Sequence, residues 1–282
     1  MSPLRVFVLT LLAMLAFAGN SLLCRAALQA GRIDAASFTT IRVVAGALAL
    51  WLIVRLQRGR ADKAGSWPSA FALFAYAAAF SFAYITLTTA TGALLLFGAV
   101  QATMIGYGFW RGDRLTGWQL LGVACALGGL IGLLLPGISA PPLHGAVLMI
   151  VAGIAWGVYS LRGRGAGDPL QATAGNFLRA VPFAAALTLA TLPWAALDPA
   201  GAALAVASGA ITSGIGYAIW YSALRGLKAA TAATVQLSVP PLAALGGVVL
   251  LGEPLTLRLL FASVAILGGI ALVTAEKRRA PG

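Results

Sequence analysis

Few side chains in this chain can do acid–base, nucleophilic or metal chemistry, and their positions restrict them further. The seven carboxylates are Asp34, Asp62, Asp113, Asp168, Asp198, Glu253 and Glu276, and all lie outside the long apolar segments. A carboxylate inside a bilayer commonly carries a proton or pairs with an organic cation, so their positions argue against a cation pump. His144 is the single histidine, and a zinc site is not expected. Cys24 and Cys125 fall inside apolar segments with no CxxC spacing, which reads as packing rather than a disulfide or metal site. There is no Walker motif and no serine or cysteine with a credible base, so neither ATP hydrolysis nor covalent catalysis is expected. The expectation is a non-enzymatic protein without a cofactor.

What remains is the chemistry of binding. Tyr76, Phe80 and Tyr84 recur at i, i+4 and i+8 and share one helix face. Trp156 and Tyr159 are three apart, as are Tyr217 and Trp220, with Tyr221 beside them. Aromatic belts mark membrane surfaces, and Trp51, Trp110, Trp118 and Trp194 fit that role; Tyr76, Phe80 and Tyr217 sit deeper than a belt explains. Core packing is an equal alternative for each residue taken singly. Asn20, Gln101 and Gln236 lie deep in apolar runs, where an amide either bridges helices or orients a polar solute. Gly214 and Gly216 loosen one run, and Pro240-Pro241 interrupts the next, freeing backbone groups of the kind that mark transporter sites at mid-membrane. The candidate substrate-binding set is therefore Asn20, Tyr76, Phe80, Tyr84, Gln101, Trp156, Tyr159, Tyr217, Trp220, Gln236 and Pro240. Arg42 and Arg179 also fall inside runs, where a guanidinium costs about 3 kcal/mol or more. Snorkelling to the headgroups relieves part of that cost, and either arginine could cap backbone carbonyls or attract a substrate carboxylate; a structural role is the favoured reading for both, because the position recurs in each half.

The elements that must position these groups are apolar helices. The chain is 60% apolar and 9% charged, against about 25% charged in a soluble domain. Ten runs of membrane-spanning length lie near 6–24, 35–54, 69–87, 91–110, 117–135, 143–161, 172–194, 202–224, 229–251 and 256–274. The fold expected is all-α, a polytopic membrane protein of ten transmembrane helices. The net charge of +12 sits in short clusters between runs, which indicates membrane topology rather than nucleic-acid binding. Fourteen of the 19 basic residues fall on one set of alternating connections, from Arg5 through Arg55, Arg58, Arg60, Lys63, Arg111, Arg114, Arg162, Arg164, Arg225 and Lys228 to Lys277, Arg278 and Arg279. Both termini are then expected in the cytoplasm. A cleavable signal peptide ending at Ala16-Phe17-Ala18 is the competing reading of the N-terminus. It is disfavoured because the apolar run continues through Cys24 and cleavage would leave nine spans.

An internal repeat organises the runs. With a shift of 140 residues, Gly112-Asp113-Arg114-Leu115-Thr116 lies over Gly252-Glu253-Pro254-Leu255-Thr256, and Leu127-Gly128-Gly129 over Leu267-Gly268-Gly269. The halves are 1–138 and 139–282, with five spans each, so the second half enters the membrane with opposite orientation, as in many secondary transporters. Gly128 and Gly132, answered by Ala265 and Gly269, offer small faces that would hold each half together.

On these features the chain resembles the ten-span EamA-type exporters of the drug/metabolite transporter superfamily, in the amino-acid and metabolite exporter branch, and is similar to aromatic amino-acid exporters. The resemblance rests on Gly19-Asn20-Ser21, Arg42, the Gly-Asp/Glu-x-Leu-Thr junction before each fifth span, and Val239-Pro240. Val100 stands where the first half would carry the counterpart of Pro240. The resemblance implies two EamA-like repeats in an inner-membrane exporter working by alternating access. Its partners would be the lipid bilayer and a small-molecule substrate, with no nucleic acid, and it would be a monomer or weak homodimer. The expected cargo is a neutral or zwitterionic metabolite, most of all an amino acid, with aromatic amino acids, threonine or methionine as candidates. The alternatives are a sugar or nucleotide-sugar carrier of the same superfamily and a non-transporting membrane scaffold.

Overall fold

Helix starts are written as N-caps. The side chains of Ser2, Asp34, Ser66, Thr88, Thr116, Asp168 and Asp198 each accept a backbone N–H from the first turn that follows. Three of the carboxylates found outside the apolar runs are therefore there to start helices. The computed structural model describes residues 1–57, 64–112, 116–137, 140–163, 167–227 and 229–276. Arg58, Arg60, Asp62, Lys63, Asp113, Arg114, Leu115, Arg164, Lys228, Lys277, Arg278 and Arg279 lie outside the described residues.

The protein is all-helical, with α1 Pro3–Gln29, α2 Ala35–Leu56, α3 Trp67–Ala83, α4 Thr89–Trp110, α5 Gly117–Leu134, α6 Leu143–Arg162 and α7 Pro169–Ala190. A 3-10 turn, Leu192–Trp194, leads to α8 Pro199–Val206, a π-helical stretch Ala207–Ile215 and α9 Gly216–Leu224, which form one continuous run. Then follow α10 Ala229–Gln236, α11 Val239–Leu251 and α12 Leu257–Glu276. Eight of these runs are long and apolar enough to cross a membrane: α1, α2, α4, α5, α6, Pro199–Leu224, Thr234–Leu251 and Leu257–Thr274. Helix α3 is apolar but has 17 residues, and α7 carries Gln171, Thr173, Asn176 and Arg179, which keep it out of that set.

The outer surface presents large apolar side chains to its surroundings, among them Leu4, Phe7, Leu52, Phe109, Leu250 and Phe261. A surface of this kind suits lipid and not water. Trp51, Trp110, Trp118 and Trp194 are exposed near helix ends, where a belt would put them.

Small residues set the closest helix approaches. Helix α5 packs on α12, and a Cβ on Gly122 would fall 2.6 Å from the Gly269 carbonyl oxygen, while one on Gly129 would fall 2.8 Å from the Ala265 Cβ. Gly128 and Gly132 have no neighbour there. The expected Gly128/Gly132 face is therefore turned away from the contact. The face that packs is one step around the helix, and it joins the N-terminal half to the C-terminal half rather than holding one half together. Gly112 and Gly252 both take left-handed φ, 98° and 66°, just past the ends of α4 and α11. Four residues after each, Thr116 and Thr256 accept the backbone N–H of Gln119 and Leu259. At the described ends of the two junctions, the glycine and the capping threonine thus play the same local parts.

The interruption expected at Pro240 is present. Helix α10 stops at Gln236, Leu237 and Ser238 form a turn, and α11 restarts at Val239. One run earlier, the π-helical stretch lets Gly209 come against the Arg42 backbone, where a Cβ would collide with the carbonyl. The α1–α2 and α7–α8 connections pair through Asp34 N–H to Ala196 O and Asp198 N–H to Arg32 O, both 2.8 Å. Burial pushes the Asp34 carboxyl up, but hydrogen bonds from Ser37, Ala196 and Ala36 outweigh it and hold the group below its ordinary value. The stabilisation from this N-cap is therefore full above the ordinary Asp range and lost as pH falls through the lowered value. Asp34→Ala is expected to cost about 1 kcal/mol at neutral pH, read as a lower thermal midpoint in detergent. The difference from the parent should narrow in acid.

Candidate functional site

A cavity of about 450 Å³ lies among α1, α3, α4, α6, α7, α9 and α10. At its centre is Trp156, whose ring centroid is 4.8 Å from Tyr76, 5.2 Å from Tyr159 and 5.4 Å from Tyr217, stacked on the last at 25°. Phe17 meets Tyr217 and Trp220 edge-on at 5.8 and 5.9 Å. Phe80 extends the wall from Tyr76 at 5.4 Å. On α6, Gly153 and Gly157 lie against Ala99 and Thr103 of α4. That close approach lets the aromatic side of α6 turn inward.

Polar groups punctuate this wall. Asn20 accepts from Ser208 Oγ at 2.7 Å and Thr212 Oγ1 at 3.3 Å, which fixes its amide so that Nδ2 donates to Tyr76 Oη at 3.4 Å. Tyr159 donates to Thr173 at 3.2 Å, and Thr173 shares a 2.8 Å hydrogen bond with Tyr221. Asn176 donates to Tyr159 Oη at 3.4 Å and accepts from Ser66 N at 2.8 Å. Gln101 and Gln236 complete the lining.

Nine of the eleven sequence-derived candidates meet here: Asn20, Tyr76, Phe80, Gln101, Trp156, Tyr159, Tyr217, Trp220 and Gln236. Tyr84 and Pro240 do not. Helix α3 ends at Ala83, so Tyr84 leaves the periodic face and turns into the protein. There it is fully buried, T-shaped on Phe80 at 4.7 Å and donating to Thr89 O at 3.3 Å. Pro240 is buried at the second position of α11, beyond the break, while Gln236 before the break reaches the cavity. Sequence reasoning missed Phe17, Thr173, Asn176, Thr212 and Ser213. Asn176 had a legible signal, an amide in an apolar run, of the same kind that marked Asn20.

The two arginines inside helices part company. Arg179 donates to Ala64 O at 2.5 Å and Gly175 O at 3.0 Å, a structural, carbonyl-capping role. Arg42 instead lies behind the cavity wall, 5.2 Å from the Tyr76 centroid and 4.9 Å from that of Phe80.

One end of the cavity reaches Gly163 at the end of α6 and Pro169 at the start of α7, both exposed. Away from that end the residues behind Phe80 are buried: Tyr84 is packed on it, and beside Tyr84, Arg25 Nε meets Glu253 Oε1 at 3.2 Å while Arg25 Nη1 donates to the carbonyls of Tyr84 and Ile85 at 3.0 Å each. Both Glu253 oxygens accept from Thr89 N–H at the start of α4, at 3.0 and 2.8 Å. Glu253 sits between helices in sequence yet is 8% exposed, because its carboxylate folds back onto this N-terminus. A second cavity of about 560 Å³, between α4, α5, α6 and α12, is lined almost wholly by Leu, Ile, Val, Ala and Gly. It offers a solute no oriented polar group, so the aromatic cavity is the candidate site. Among the described residues no three His, Cys, Asp or Glu side chains cluster.

Residues 143–275 match the EamA-like transporter family. Over 97% of its length the chain is 61% identical to the uncharacterized protein PA1977 of Pseudomonas aeruginosa, 96% of which is covered. The C-terminal part of the chain, residues 143–275, is thus an EamA-like transporter domain. The chain is also 35% identical over 146 residues to the threonine/homoserine exporter RhtA of Salmonella typhimurium, a match covering 49% of this chain and 48% of that protein. A solved crystal structure of a protein without further description superposes with a TM-score of 0.68, covering 95% of this chain and 98% of the other at 21% identity, a likeness of fold alone. The family match and the eight membrane-capable helices among the described residues make this a multi-pass membrane protein.

Proposed function

We propose that the chain is an inner-membrane exporter of small neutral or zwitterionic metabolites, amino acids foremost, working by alternating access. The observation that carries this is the aromatic and amide cavity, exposed at the Gly163/Pro169 end, with the Arg25–Glu253 pair beside the buried Tyr84 behind Phe80. Stacked rings with scattered amides and hydroxyls suit a solute that has an apolar part and a few polar groups. The partial likeness to a threonine/homoserine exporter favours amino acids over sugars.

The two-repeat organisation, 1–138 and 139–282, underlies the proposed motion, with α3 and α7 as the remaining two of ten spans. Helix packing supports it. Helix α3 packs on α6 as α9 does on α1, α4 on α6 as α11 does on α1, and α2 on the π-helical stretch as α7 does on α3. Pairs α2–α7, α4–α11 and α5–α12 map onto themselves. Exchange of the halves therefore reproduces the main contacts, as two inverted five-span units require. Rocking one unit against the other would open the Arg25–Glu253 end, with that pair as its latch, and shut the Gly163/Pro169 end. Reporter fusions after Gln57 and Gly163 are expected to read cytoplasmic and one after Pro141 external. An external signal at Gly163 would contradict the inverted repeat.

The functional test is counterflow in proteoliposomes with pooled amino acids, sugars and nucleotides. Saturable exchange of amino acids is expected. Exchange of sugars alone would replace this reading with the sugar-carrier one, and inertness toward every pool would end the transport proposal.

A further inference from the structure

Arg42 is 2% exposed, and its Nη1 has no hydrogen-bond partner. Nη2 donates to Tyr76 Oη at 3.0 Å, and the guanidinium lies against the Tyr76 and Phe80 rings. The ionisable-type side chains that bear on it are Tyr76, Tyr217 and Cys24, two phenols and a thiol rather than carboxylates. Among the described residues the only ion pair is Arg25–Glu253, so this buried cation has no counter-ion among them. Ring contacts relieve part of its burial cost. Snorkelling does not, because the side chain stays inside the helix packing.

The charge acts on the cavity through Tyr76. The Tyr76 oxygen receives two donors, Arg42 Nη2 and Asn20 Nδ2. Its own proton is then directed elsewhere, and a hydroxyl whose oxygen is held by a guanidinium is a strengthened donor. Asn20 cannot turn its carbonyl to this corner, because Ser208 and Thr212 already hold it. Tyr76 and Asn20 both line the cavity, whereas no charged residue among the described ones does. The result is a corner of donors only, an O–H and a leftover amide N–H, backed by an uncompensated positive charge. A cation or an alkyl group leaves that corner unsatisfied. An acceptor with negative charge satisfies it and supplies the missing counter-ion.

We infer that the transported solute carries a carboxylate that docks on the Tyr76 hydroxyl and Asn20 amide, with Arg42 as the positioning residue whose buried charge makes this corner select anions. The inference rests on the transport reading and deepens it.

The test uses the full chain in proteoliposomes, with threonine and phenylalanine as probes beside their C-terminal amides. Wild type should prefer each acid over its amide by about tenfold to a hundredfold, the value of one charge-assisted hydrogen bond. Tyr76→Phe, which removes only the hydroxyl, and Arg42→Gln should each bring the affinity for the acid close to that for the amide, leaving the amide within about twofold. Arg42→Lys should keep part of the preference, since the charge stays while the planar fork is lost. Equal loss for acid and amide in a monodisperse Tyr76→Phe protein would reduce the corner to packing and overturn the inference. Wild type that exchanges both probes without regard to the carboxylate would overturn it alone. Wild type inert to all probes would overturn the transport reading and this inference with it.

Discussion

Trp156→Ala is expected to weaken solute binding by about 2 kcal/mol, roughly thirtyfold in affinity, while leaving the protein folded. Trp156 touches Tyr76, Tyr159 and Tyr217 and is half-buried, with the rest of its surface facing the cavity. Its removal takes away the central contact surface without opening a sealed core. Trp156→Phe should recover most of the loss, because a ring that stacks on Tyr217 is retained. Direct binding or half-saturation in counterflow reads the effect. An unchanged affinity in Trp156→Ala would place the ring among packing residues and remove the centre of the proposed site.

Glu253→Ala is expected to have the largest structural effect of any surface-connection change. It leaves Arg25 without its ion-pair partner and Thr89 N–H without an acceptor, inside a junction that is 13% and 7% exposed at the two side chains. Breaking a buried pair from one side costs about 3–5 kcal/mol. Here the cost falls on the state in which this end is shut, so the population should move toward the state open at this end. Ser21 lines the cavity near Tyr84 and is buried. In a Cys24→Ala/Cys125→Ala background, Ser21→Cys should react with a water-soluble thiol reagent from the outer side faster by tenfold or more once Glu253 is replaced. Glu253→Gln, which can still accept from Thr89, should give a smaller change. Equal reactivity with and without Glu253 would show that the pair is a static staple and not a latch.

Much of this site was legible because membrane helices leave few polar and aromatic residues unexplained. Trp156, Tyr159, Tyr217 and Trp220 announced inward faces by their spacing and depth, and Asn20 by the cost of an amide in lipid. Two candidates lie outside the cavity lining for local reasons. Tyr84 depended on α3 continuing one more residue, and a helix end is where periodicity stops being informative. Pro240 marked the break truly, but proline says where a helix is interrupted and not which side of the break faces the cavity. The Arg42/Arg179 pair shows a different limit. The two matched in sequence, yet one caps carbonyls and the other is left with a free Nη1, a difference set by the Tyr76–Asn20 corner that stands beside only one of them. The choice of Gly122 and Gly129 over Gly128 and Gly132 for the α5–α12 contact was equally hidden, since every fourth small residue looks alike until a partner helix picks one face.

The central claim is that the aromatic cavity is a solute site reached from one side at a time. Ser213 lines that cavity and is buried, so Ser213→Cys in the Cys24→Ala/Cys125→Ala background places a reporter inside it. The measurement is its reaction with a membrane-impermeant thiol reagent, applied to right-side-out and inside-out vesicles, with and without a saturating transported amino acid. Alternating access predicts labelling from the cytoplasmic face, slowing by the amino acid, and a shift of labelling to the outer face when Glu253 is also replaced. Labelling that ignores both the amino acid and Glu253, or none from either face, would contradict it.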